Sequence, residues 1–187
     1  MNTYIISDTH FFHKRIQEFE PVRLKLGPDV DAMTWEIVKR WNEVVRPEDT
    51  VYHLGDVSFQ LGPRWEEVKH VCHSLNGYKI LILGNHDRKD KPEGNREPRL
   101  DYTELGFGTV SWEPIYFNEY VLSHEPILDT KILNIHGHIH TTAKKHREDV
   151  APVVTSGMHF NASIEELPDF KPMLLGDILK KFNLKEA

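Results

Sequence analysis

Short apolar runs of strand length, each stopped by a turn or a polar cluster, recur along the chain. They lie at Thr3 to Ser7, Thr50 to Leu54, Tyr78 to Leu83, Ile115 to Phe117, Tyr120 to Ser123, Leu133 to His136 and Val153 to Ser156. In the first half they alternate with helical stretches. Asp31 to Val45 is predicted to be a helix, with Asp31 as its cap and Met33, Ile37, Val38, Trp41, Val44 and Val45 on one face, ending before Pro47. Arg64 to Leu75 repeats the pattern with Trp65, Val68 and Cys72 after Pro63, and closes near Asn76-Gly77. Beyond Ile115 strands follow one another, Gly176 to Phe182 is a terminal helix, and residues 88 to 101 read as a charged loop or flap. The expected architecture is α/β layers with two sheets in a single domain over 1–187.

Polar clusters sit where these runs end: Asp8-Thr9-His10, Gly55-Asp56, Gly84-Asn85-His86-Asp87, Ser123-His124 and Gly137-His138-Ile139-His140. Strand ends are where sites are built on sheets. If extended geometry persists through Asp8 and His10, both side chains point to the same side. A carboxylate and an imidazole suit a divalent transition metal and are poor choices for an apolar interior. Taken singly, Asp-x-His is more often a capped turn than a ligand pair, Gly-Asp is weaker still, and only His138-x-His140 has few structural uses. The conjunction of all the clusters, each at a strand end, makes accidental convergence a poor explanation and points to a metal site. Nitrogen and oxygen donors without sulfur fit manganese, iron, zinc or nickel.

Bulk properties narrow the partners. A net charge of -6 and a pI near 6.0 give no global reason to bind nucleic acid or an anionic membrane. The single cysteine, Cys72, excludes an intrachain disulfide and a thiolate cluster. The chain opens into a strand pattern and carries no apolar run approaching ~20 residues, so a cytoplasmic location without membrane association is expected. Oligomeric state is not encoded legibly: Trp35, Trp41, Trp65 and Trp112 serve equally as core or as exposed anchors.

With these motifs in this order, the chain resembles the calcineurin-like metallophosphoesterases, whose signature is Asp-x-His, Gly-Asp, Gly-Asn-His-Asp/Glu, a later His and Gly-His-x-His. The resemblance runs from Thr3 to about Ser156 and is nearest to small bacterial and phage-type members that begin Ser-Asp-Thr-His and continue with an aromatic and a second histidine, here Phe11-Phe12-His13. It implies a four-layer α/β/β/α sandwich with two divalent ions between the sheet edges, manganese being the family-based choice. Carried over, Asp8, His10 and His140 hold the first ion, Asn85, His124 and His138 the second, and Asp56 bridges them. A shared carboxylate holds two cations about 3.5–4 Å apart, and a bridging hydroxide is the implied nucleophile.

The resemblance also makes His86 the group that contacts phosphate and protonates the leaving oxygen, which suits imidazole, with Asn85 beside it and Asp87 orienting the loop. His13 and Arg88 are substrate-side candidates, and Lys14, Arg15 and Lys89 are either a further phosphate contact or solvated charge. His53 and His136 are expected to pack behind the site, while His70, His73, His146 and His159 read as surface or structural. Gly-Asp-Val-Ser-Phe-Gln lacks the Asp-Arg-Gly of Ser/Thr protein phosphatases, and no appended duplex-gripping domain is present. The expected substrate is a small phosphodiester or phosphomonoester, a nucleotide among them. A nuclease on single strands or short oligonucleotides and a catalytically silent binding scaffold are the alternatives.

Overall fold

β1 (Thr3–Ile6), β2 (Thr50–His53) and β3 (Tyr78–Ile82) form where the apolar runs placed them, and their side chains alternate between two clusters. Tyr4, Ile6, Val51 and Leu81 enter one; Ile5, Tyr52 and Ile82 enter the other. Period-two alternation with both faces apolar is the signature of a sheet covered on both sides. The computed structural model describes residues 1–59, 64–90, 96–98, 101–141 and 158–185. The run expected at Val153 to Ser156 and His146 lie outside them.

After the short helix α1 (Ile16–Phe19), α2 (Val30–Val44) and α3 (Trp65–Ser74) cover the first cluster. α2 buries Met33, Ile37, Val38 and Trp41, the expected stripe, and Trp41 Nε1 donates to Asn76 O at 3.0 Å. Its cap is Asp29 rather than Asp31: Asp29 Oδ1 accepts from Asp31 N at 3.1 Å and Ala32 N at 2.9 Å. Either aspartate fits the sequence pattern, but only Asp29 adopts the extended backbone a cap needs (φ -142°). Truncating fully buried Trp41 to alanine is expected to cost about 3–5 kcal/mol.

Two short strands, β4 (Arg88–Asp90) and β5 (Arg96–Pro98), pair antiparallel, so the stretch expected to be loop carries a small hairpin ladder. β6 (Thr109–Ser111) adds in parallel to β3 and was not legible in the sequence. β7 (Ile115–Tyr116), β8 (Tyr120–Leu122), β9 (Leu133–His136) and β10 (His159–Asn161) form the second sheet, in order β10-β9-β8-β7. β11 (Met173–Leu174) closes the first sheet, whose order is β11-β1-β2-β3-β6. The inner residues of β8 and β9 meet Ile5, Leu54 and Ile82 between the sheets, joined by Leu175, Ile178 and Leu179 of the terminal helix (Leu175–Lys181). The fold is thus the expected α/β sandwich of two sheets flanked by helices. No helix among the described residues is long and apolar enough to cross a membrane.

β1, β2 and β3 run parallel, as do β8 and β9, so the chain leaves each of them at the carboxyl end of its sheet. Open α/β sheets bind ligands outside those ends. All the polar clusters follow these strands.

Candidate metal centre

Behind β1 the chain does not stay extended. Asp8 and His10 adopt left-handed backbone (φ 59° and 47°), as do Asp56 (57°), His138 (71°) and His140 (46°). The expectation that Asp8 and His10 align by strand alternation is therefore corrected: tight left-handed turns bring them together. Asp and His tolerate this region better than most residues, yet each instance still costs of order 1–3 kcal/mol and persists only where surroundings over-determine it. Here they do. Asp8 N donates to Gly55 O at 2.9 Å, His10 N to Asp56 O at 3.1 Å and Phe11 N to Val57 O at 2.9 Å, zipping the first loop to the second. Phe12 N donates to Thr34 Oγ1 of α2 at 3.0 Å.

The glycines of the motifs answer to space. A Cβ on Gly84 would lie 2.2 Å from Asp56 Oδ1, and one on Gly137 would lie 2.4 Å from Asp8 Oδ2 and 2.0 Å from Ser7 Oγ. Any larger residue at either place would displace a carboxylate of the site.

The turns gather donor atoms into two groups, Asp8 with His10 and His140, and Asp56 with His124 and His138. In the first, His10 Nε2 and His140 Nε2 are 3.3 Å apart and His140 Nε2 is 3.7 Å from Asp8 Oδ1. In the second, Asn85 Oδ1 lies 2.9 Å from both His124 Nε2 and His138 Nδ1. Asp56 faces both: Oδ2 is 3.6 Å from His10 Nε2 and Oδ1 is 3.6 Å from His124 Nε2. All the expected ligands therefore converge. Four of them, Asp8, His10, Asp56 and His124, are at most 3% exposed.

These residues fit divalent cations. Asp8 Oδ1 is buried with no hydrogen-bond partner among the described residues, and imidazole nitrogens facing each other need a cation, proton or metal, between them. Burial, then the Asp87 and Asp8 carboxylates, push Asp56 well above the usual carboxylate range. A buried carboxylate beside two others is costly to ionise, and bound cations reverse that cost. Burial disfavours the charged form of Asp8 too, but the imidazoles of His140, His124 and His10 outweigh it and hold the carboxyl below its ordinary range. Burial likewise works against charging His140, yet Asp8 and Glu165 raise it to about 9.

Supporting contacts orient the donors. His124 Nδ1 lies 2.8 Å from Leu54 O, to which it donates, leaving Nε2 for the centre. Asp87 is the hub of its loop: Oδ2 accepts from Asp56 N at 2.7 Å and Gly84 N at 2.9 Å, while Oδ1 accepts from Val57 N at 3.1 Å and Tyr102 OH at 2.9 Å. Ser163 Oγ and His138 N donate to Asp8 Oδ2 at 3.0 and 2.9 Å. His53 packs behind both loops, accepting from Gly55 N at 3.2 Å with its other nitrogen 3.0 Å from Thr9 Oγ1. His136 is buried against His159, ring centroids 5.4 Å apart.

The sequence reading passed over two residues. His140 Nδ1 is 3.0 Å from Glu165 Oε1, and Glu165 forms a fully buried ion pair with Arg23 at 2.5 Å. Arg23 also donates to Thr9 O at 2.8 Å and Asp8 O at 2.5 Å. Neither residue belongs to a spaced motif.

His86 stands at the rim, its N donating to Asp56 Oδ1 at 2.9 Å and its Nε2 3.9 Å from Asp56 Oδ2. It shares a cavity of ≈ 390 Å³ with His10, His13, His140 and the apolar Ile16, Phe19 and Phe59. Phe59 is wedged there, its ring centroid 4.5 Å from that of His13 and 4.7 Å from that of His86. Arg88 is elsewhere: its Nε donates to Gly84 O at 3.0 Å, and it lines a different cavity, ≈ 340 Å³, with Trp112, His124 and Glu125. Arg15 pairs with Glu18, Lys14 is exposed, and the side chain of Lys89 is outside the described ones.

The profile of the calcineurin-like phosphoesterase family matches residues 1–184. An uncharacterized protein of Methanocaldococcus jannaschii is 30% identical over 95% of this chain and 89% of its own length. The gene 66 protein of Mycobacterium phage L5 is 31% identical over 75% of this chain and 78% of its own. A crystal structure of a protein of unknown function from Aquifex aeolicus superposes with a TM-score of 0.66 at 29% identity, covering 96% of this chain and 98% of that one.

Proposed function

The chain belongs to the calcineurin-like phosphoesterase family, and from that premise we propose that it is a dinuclear metal-dependent phosphoesterase acting on a small phosphodiester or phosphomonoester, nucleotides included. The observation that carries the reading is Asp56, whose two carboxylate oxygens face the two donor groups at equal distances of 3.6 Å. Asp8, His10 and His140 would hold one ion, Asn85, His124 and His138 the other, with Asp56 shared. Manganese is the first choice among manganese, iron, zinc and nickel. When bound, such ions lower the pKa of water to supply hydroxide and neutralise charge on phosphate oxygens.

The protein's own part is positioning. His86, on the rim beside Asp56, is placed to protonate the leaving oxygen through an imidazole nitrogen. His13 lines the cavity beside His86 and would face the phosphate, Asn85 is the other substrate-side candidate, and Phe59 and Phe19 offer an apolar wall for the ester group. The ≈ 390 Å³ cavity suits a small ester, and the acidic net charge argues against duplex nucleic acid or a membrane as partner. A cytoplasmic setting is consistent with the single buried cysteine. A second reading, hydrolysis of single strands or short oligonucleotides, draws on the other cavity, where Arg88 and Trp112 lie beside His124 and a chain continuing past the scissile phosphate could rest.

The test is hydrolysis of a nitrophenyl phosphomonoester and a bis-nitrophenyl phosphodiester, with manganese and after chelation, beside a panel of nucleotides and short single strands. Turnover that chelation abolishes and manganese restores supports the reading. Tight metal binding with no turnover of any ester would leave a silent scaffold instead.

A further inference from the structure

We propose that Glu165, locked by Arg23, is a positioning residue that selectively secures the first metal position through His140. This rests on the dinuclear reading above. An imidazole ligand presents a lone pair on one nitrogen only when its proton is on the other, and a hydrogen-bond acceptor behind the ring decides which. At His140 the acceptor is Glu165 Oε1, 3.0 Å from Nδ1, which directs Nε2 towards Asp8 and His10.

Glu165 can serve only because it cannot move. Its side chain is fully buried, and Arg23 Nε and Nη2 hold the same oxygen at 2.6 and 2.5 Å. Arg23 Nη1 and Nη2 also donate to the backbone of the Asp8 turn, at Thr9 O and Asp8 O. One rigid guanidinium therefore ties the orientation of His140 to the left-handed turn that presents Asp8 and His10, all three donors of one position. A lysine could not reproduce this, since its ammonium lacks the planar fork. Among the described residues Glu165 contacts Arg23 and His140 and not the second group, where His124 Nδ1 donates to the carbonyl of Leu54 and Asn85 Oδ1 lies between His124 and His138. Removing Glu165 should therefore weaken one position and spare the other.

The experiment is metal stoichiometry of the full chain, wild type and Glu165→Gln, by elemental analysis after equilibrium dialysis against graded manganese, with circular dichroism to confirm the fold. Wild type should bind two equivalents; the variant should keep one with near wild-type affinity and lose the other by roughly 10–100-fold. Two equivalents at unchanged affinity in the variant, or equal weakening of both, would overturn the proposal. A wild-type protein that binds fewer than two at saturation would instead overturn the dinuclear reading beneath it. Should the variant fail to fold, nitrogen NMR of zinc-loaded wild type decides: His140 with a protonated Nδ1 and a metal-shifted Nε2 supports the assignment, and metal on Nδ1 refutes it.

Discussion

The two donor groups use the same side-chain chemistry and differ in what stands behind it. Behind His140 is a carboxylate clamped by a buried guanidinium, supplied by residues far away in sequence at Arg23 and Glu165. Behind His124 is the carbonyl of Leu54, part of the β2 strand end itself. The first position therefore leans on a long-range charged pair with a desolvation cost of its own; His124 of the second is oriented by a carbonyl at the end of a neighbouring strand. Asp56 belongs to both, and its turn is held by Asp87. The difference teaches that two donor groups of like chemistry can be backed differently, one by a buried ion pair distant in sequence and the other by a strand-end carbonyl and the Asp87 loop.

Changing the shared residue should erase the difference. Asp56→Asn is expected to strip metal from both positions and lower turnover by about a thousandfold or more, measured by elemental analysis and initial rates. Arg23→Met should restore the asymmetry in another form. It leaves the Glu165 carboxylate buried without its partner, so a loss of about 3–5 kcal/mol is expected in urea unfolding, with the added change Glu165→Leu recovering part of it. His86→Ala stands outside both groups: hydrolysis should slow by about a hundredfold while both ions remain, and metal loss would place His86 among the ligands.

Smallest per unit change is the effect of pH on a scaffold histidine packed behind both loops. Burial, opposed in part by Asp8, depresses His53 to about 3. The unfolded chain takes a proton near pH 6.5, but the folded chain refuses it until about 3. The His53 contribution to stability is thus complete above about pH 6.5 and falls by about 1.4 kcal/mol per unit as pH drops from there towards 3. Urea titrations of metal-free protein should show this slope, and His53→Gln should flatten it.

The contrast also marks what the sequence made legible. Asp8, His10, Asp56, Asn85, His124, His138 and His140 could be read because each follows an apolar run, and strand ends in a parallel sheet converge. How Asp8 and His10 converge could not: period-two reasoning assumes extended backbone, and both are left-handed. Glu165 and Arg23 left no periodic trace, since a charged residue gains its meaning only from a partner brought near by folding. β6 and β10 escaped notice because three-residue edge segments such as Thr109–Ser111 carry too little apolar pattern to stand out from loop. The Asp29 cap was misplaced by two residues for a related reason, as capping depends on backbone angle as well as residue type.

Anomalous diffraction at the manganese edge, from crystals of the full chain grown with manganese, tests the central claim most directly. Two peaks are expected, one bounded by Asp8, His10 and His140, the other by Asn85, His124 and His138, with Asp56 touching both. A single peak, or two peaks of which only one contacts Asp56, would contradict a shared-carboxylate dinuclear centre.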